Sequence, residues 1–115
     1  MAIYRETLLH SIGNAEEMVL LTVKTGDLQH LAQCMLHTPS GSYHTGPFHG
    51  FCIGKGSALK GKESNLTIMV TDTNPMTNNT SVVVSLTNNQ VTEAYSESSD
   101  IDNGTVIYII TIQHR

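Results

Sequence analysis

This sequence predicts an all-β fold: an antiparallel β-sandwich of seven or eight short strands forming a single domain over residues 1–115, with one short helix at about 28–37 as an option. Three observations lead there. Apolar residues alternate with a period of two in several runs enriched in Val, Ile and Thr, as in half-buried strands. Gly, Pro, Asn and Asp punctuate the chain at intervals of roughly ten residues, the turn spacing of a sandwich. The charged fraction is 14%, low against roughly 25% in soluble proteins. Ser, Thr and Asn take that share, which suits pleated faces better than helix surfaces.

Ile3 to Ser11 sets Ile3, Thr7 and Leu9 against Tyr4, Glu6, Leu8 and His10, a first strand ended by Gly13-Asn14. Met18 to Val23 is a continuous apolar run and reads as a buried strand ending at Lys24-Thr-Gly-Asp27. The next segment has two readings. Leu28, Leu31, Ala32 and Met35 have helical spacing, behind Asp27 as N-cap and before Thr38-Pro39 as terminator. Leu28, Ala32, Cys34 and Leu36 read at period two as a strand. Ser40 to Gly50 is a polar loop, Phe48 to Ile53 a short strand, and Gly54 to Glu63 a glycine-rich connection carrying Lys55, Lys60 and Lys62.

The clearest pattern follows. Asn65 to Thr71 puts Leu66, Ile68 and Val70 on one face, and Ser81 to Leu86 does the same with Val82, Val84 and Leu86. Residues 72–79, with Pro75 and several Asp and Asn, join the two runs and suggest a hairpin. Thr87 to Gln90 reads as a tight turn, Val91 to Ser96 as a short strand and Glu97 to Gly104 as an acidic loop. Thr105 to Gln113 is apolar on both faces, which places it at the centre of a sheet.

Composition narrows the function classes. Six basic against ten acidic side chains give a net charge of −4, opposite to the basic surplus a nucleic-acid partner requires. No run approaches membrane-spanning length, and the start lacks the basic and apolar regions of a signal peptide, so a cytoplasmic protein without membrane insertion is expected. Cys34 and Cys52 are too few for a disulfide framework and read as free thiols, close together only if both flanking segments are strands. With no Trp and only two Phe, a sugar-stacking platform is not indicated.

Strand alternation also implies a polarity. Connections 54–64 and 87–90 fall at one pole, with Lys55, Lys60 and Lys62; connections 38–47, 72–79 and 97–104 fall at the other, joined by 13–17 if 28–37 is a strand. The second pole then gathers His44, Asp72, Asn74, Asp100 and Asp102, the candidate ligand-binding set. Oxygen-rich loops of that kind can hold calcium, although Asp and Asn also serve as ordinary turn residues. His37, His44, His49 and Cys52 lie close in sequence and form a candidate zinc set, yet only His49 and Cys52 have the short spacing of a ligand pair. Gly56 to Lys62 resembles half of a phosphate loop, but Glu63 stands where Ser or Thr should follow, and a strand succeeds it where a helix is needed. The expectation is a non-enzymatic binding or assembly module that acts through the loops of one pole or through strand edges, with a protein partner or a second copy of itself. The alternative is a metal-binding domain, using calcium at the Asp-rich loops or zinc in a hydrolase.

Overall fold

Alternation in the sequence becomes two facing sheets in a computed structural model, which describes the backbone of residues 2–25, 29–72, 79–88, 91–100 and 105–115, and side chains within 3–25, 33–71, 82–88 and 105–115. Nine strands and one helical turn make up the described residues: β1 (Ala2–His10), β2 (Met18–Thr25), β3 (Gln29–His37), β4 (Tyr43–Thr45), β5 (Phe51–Lys55), α1 (Gly56–Leu59), β6 (Glu63–Asp72), β7 (Asn79–Asn88), β8 (Val91–Asp100) and β9 (Thr105–His114). One sheet has five strands in the order β1-β9-β6-β3-β4, the other four in the order β5-β2-β7-β8. All pairings are antiparallel except β1 with β9. The all-β sandwich expected from the alternation is the observed fold, and β9 is flanked on both sides, as its two apolar faces require.

The segment with two readings is strand β3, and the short helix lies instead at Gly56–Leu59. The β3–β6 pairing shifts register between Leu31 and Gln33. This bulge breaks strict alternation, so Leu31 and Cys34, three apart, pair with Val70 and Ile68, two apart, while Met35 of the helical spacing lies on the exposed face. The 72–79 segment is not a hairpin. β6 pairs with β3 and β9, β7 with β2 and β8, so the chain crosses from one sheet to the other there. Leu66, Ile68 and Val70 therefore meet Val82, Val84 and Leu86 in one core, where all six are fully buried.

The polarity is half as expected. Strand registers put the ends of β6 and β8 and the start of β9 at one pole, and the end of β5, α1 and the start of β6 at the other. The short strand β4 was not foreseen, and it turns the connection after His37 back at the lysine pole. The parallel pairing of β1 with β9 carries the 11–17 loop there as well. His44 consequently lies within β4, away from the aspartates, and Glu16 and Glu17 join the lysines. Lys55 and Glu16 form an exposed ion pair at 3.7 Å, a contact worth little.

Residues 46–50 close the open flank beside β4 and β5. The Gly46 N–H donates to Cys34 O at 2.7 Å and the Val23 N–H to Phe48 O at 3.0 Å. A Cβ at Gly46 would stand 3.0 Å from that of Cys34 and 3.1 Å from the Phe48 nitrogen, a close approach that a larger residue would press apart. Phe48 is thereby driven into the core, 2% exposed. At the lysine pole Asn88 holds the 11–17 loop. The Asn14 N–H donates to Asn88 Oδ1 at 2.5 Å, and Asn88 Nδ2 donates to Glu17 O at 3.1 Å and Met18 O at 3.4 Å. Because Asn88 is fully buried, Asn88→Ala strands these backbone groups and should cost about 2 kcal/mol. Urea unfolding should show a lower midpoint with an unchanged slope.

Candidate functional site

The inward alternation of β1 (Tyr4, Leu8) and β9 (Val106 to Ile112) continues one step past the apolar residues, to His10 and His114. These two are register partners, and both are buried. Ser64, on the inner face of β6 and fully buried, completes the group. His114 Nε2 and Ser64 Oγ are 2.8 Å apart, as are His114 Nδ1 and His10 Nδ1. The two imidazoles meet edge to face, with centroids 5.1 Å apart. One proton order that satisfies the chain has Ser64 donating to His114 Nε2 and His114 Nδ1–H donating to His10 Nδ1; the reverse order satisfies it equally.

Hydroxyl, imidazole and orienting group are connected here as in a nucleophilic triad. Two facts set this chain apart from a working one. Ser64 has no exposed surface, and burial, followed by the charge His10 would carry, pulls His114 from 6.5 down to about 4, too weak for a base at neutral pH. Its chemistry is that of a polar seal: three inward polar side chains hydrogen-bonded in a row where the core ends, a row that does not extend to His10 Nε2.

The sequence-derived candidates land elsewhere. His37 and His44 occupy successive positions of the β3–β4 ladder, His37 opposite Tyr43 and His44 opposite the buried Leu36, so they face opposite sides of the sheet. His37 stacks on Tyr43 with centroids 4.4 Å apart, and His44 packs on Phe51 at 5.0 Å. His49 is exposed, and Cys52 is exposed on the outer side of β5. The proposed zinc ligands are thus not brought together, and among the described residues no group of three or more His, Cys, Asp or Glu converges. Cys34 faces the core of the other sheet, its thiol pushed up to about 12 by burial, so the two cysteines are apart. Of the acidic-pole set, the backbone places Asp72 at the end of β6 and Asp100 at the end of β8, at one pole. Their side chains, and Asn74 and Asp102 entirely, lie outside the described residues.

His10, Ser64 and His114 were not among the candidates, although extending the alternation of each strand by one step puts all three inside. No described helix is long and apolar enough to cross a membrane. Family models, curated proteins and solved structures give no match to this chain.

The histidine chain makes an acid prediction. With the folded pKa of His114 lowered, the unfolded chain takes up the proton first as pH falls, so the stabilisation is complete above 6.5 and declines toward 4. The loss by pH 4 should reach about 3 kcal/mol. Urea midpoints of wild type and His114→Gln measured across this interval should converge as pH falls; parallel curves would dissociate the effect from this ring.

Proposed function

We propose that this chain is a non-enzymatic assembly module that pairs with a second copy of itself through the outer face of its five-stranded sheet. The observation that carries this is the outward side of β9 and its neighbours. Register rows align Ile3, Ile107 and Met69, and in the next row Ile109, Thr67 and Met35. Ile3 is 51% exposed and Tyr43, at the far edge, 68%. Thr7, Thr45, Thr71, Thr105 and Thr111 lie on the same face, together with Arg5, Gln33, Asn65 and other polar positions. A central strand that is apolar on both faces is ordinarily covered on both, and the inner sheet covers only one.

Size and charge favour a second copy as the occupant. Four strands of nine or ten residues and the three-residue β4, about 4.8 Å apart at about 3.3 Å per residue, present on the order of 600 Å², which for two copies reaches the low end of specific interfaces, about 1,200 Å² in total. On this face the charged groups among the described residues are Arg5 and Glu63, one of each sign, in a chain of net charge −4. Self-docking therefore brings no like-charge excess together.

Light scattering and sedimentation over a range of concentrations should show a reversible dimer. Ile3→Glu with Met35→Glu, both at exposed positions, should weaken dimerisation at least tenfold while leaving the melt of the monomer unchanged. A monomer at every concentration would sink the reading.

A second reading rests on the shared pole of Asp72 and Asp100: an oxygen-rich calcium site including Asn74 and Asp102. Calcium should then raise the melting temperature by several degrees and EDTA reverse it; identical melts remove it.

A further inference from the structure

A cavity of about 300 Å³ opens at the lysine pole, between the β3–β4 turn, the end of β5 and α1. Its floor is apolar, formed by the buried Ile53 and Leu59. Its polar side carries the hydroxyls of Thr38 and Ser40, 2.9 Å apart, and Lys62. Gly54, also in the lining, holds φ at 142°, a conformation open to glycine alone, one step from a register shift in the β2–β5 pairing. A Cβ at Gly54 would lie in contact with the Leu59 side chain at 3.6 Å, so its absence leaves that part of the lining open. Lys55 is ion-paired with Glu16, whereas Lys62 is in no ion pair among the described residues.

We propose that this cavity binds a small carboxylate with a short apolar body, the carboxylate at Lys62 and Ser40 and the tail on Ile53 and Leu59. This site is separate from the sheet face assigned to self-assembly. The volume equals about ten water molecules at about 30 Å³ each, room for a ligand of about ten non-hydrogen atoms. Apolar floor with a few convergent polar groups is the usual make-up of a small-molecule site. A single ammonium and neutral hydroxyls match one negative charge. A phosphate dianion draws on further cations or free backbone N–H groups, and those at the start of α1 are engaged: the Gly56 N–H donates to Glu17 O at 2.9 Å and the Ser57 N–H to Ala15 O at 2.8 Å.

Hexanoate, hexanamide, acetate and inorganic phosphate, each titrated into the full chain under NMR observation, separate the contributions. Hexanoate at millimolar concentration should shift the methyl signals of Ile53 and Leu59 and the amide of Lys62. Hexanamide and acetate should each bind about tenfold more weakly, the first for want of charge and the second for want of a tail. Lys62→Met should lower hexanoate affinity about tenfold, and Ala58→Leu, at an exposed lining position, should obstruct entry; unaltered melts confirm that both variants fold. Equal binding of hexanoate and hexanamide, tighter binding of phosphate, or full affinity in Lys62→Met overturns the proposal, as does the absence of any shift at Ile53 and Leu59.

Discussion

Strand alternation does not stop where the apolar residues stop, and the whole sandwich depends on how its end is sealed. On β1, β6, β7 and β9 the inward positions run out of hydrophobes at the same pole and continue as His10, Ser64, Asn88 and His114, all buried. A buried polar atom without a partner costs as much as several methylenes gain, so these side chains have to satisfy one another or the backbone. Two hydrogen-bonded units do most of this, with His10 Nε2 lying outside both. The Ser64–His114–His10 chain ties the ends of β1 and β9 to the start of β6, and Asn88 ties β7 to the 11–17 loop. The first unit belongs to the five-stranded sheet and the second to the four-stranded one, so each sheet closes its own end.

The opposite flank is closed by other means. Beside β4 and β5 the chain folds residues 46–50 over the gap and inserts Phe48, whose ring lies 5.0 Å from that of Phe51. His44 packs on the same Phe51 ring. His44, a candidate ligand by sequence, is here part of an aromatic cluster that fills a seam between sheets. Its neighbour His37, turned outward by the pleat, stacks on Tyr43 and adds to the apolar exterior of the same sheet. Pleat direction, rather than proximity in sequence, decides what each ring meets.

The strands were legible because a half-buried strand writes its burial directly into the sequence. The faces of Leu66 to Val70, Val82 to Leu86 and Val106 to Ile112 emerge as read. What was illegible has definite causes. Ala32 lies where the β3–β6 register shifts, and the extra residue sets Leu31 and Cys34, three apart, opposite the alternate residues Val70 and Ile68, which breaks the period of two. Strand β4 has three residues, Tyr43–Thr45, too few to show a period, yet it reverses the chain and moves one whole connection to the other pole. Sheet membership was equally hidden. Nothing in Leu66 to Leu86 distinguishes two strands paired by hydrogen bonds from two strands facing across a core, since both need the same alternation. The polar seal was missed for another reason: histidine and serine at strand ends look like exposed termini, and only counting the alternation one position further puts them inside.

Charge and apolar surface are distributed along the long axis of a molecule measuring 45 × 26 × 20 Å. Lys55, Lys60, Lys62, Glu16 and Glu17 gather at one end, and the backbone ends that carry Asp72 and Asp100 at the other. The outer waist of the five-stranded sheet between them carries Ile107, Ile109, Met35, Met69 and several threonines, with Arg5 beside Ile109. A charged side chain in a flat sheet face resists being covered, because covering it removes its water, whereas Thr and Ile on a pleated surface lose little by contact and gain by burial. In the proposed dimer, two copies meeting at their waists would leave both ends in solvent. Edge pairing through β1 would join backbone to backbone but leave the Ile3–Ile107–Met69 row uncovered, so it accounts for the edge and not for the face. In the proposed assembly, face packing is the arrangement that covers this row, on an outer sheet surface whose charged groups among the described residues are Arg5 and Glu63.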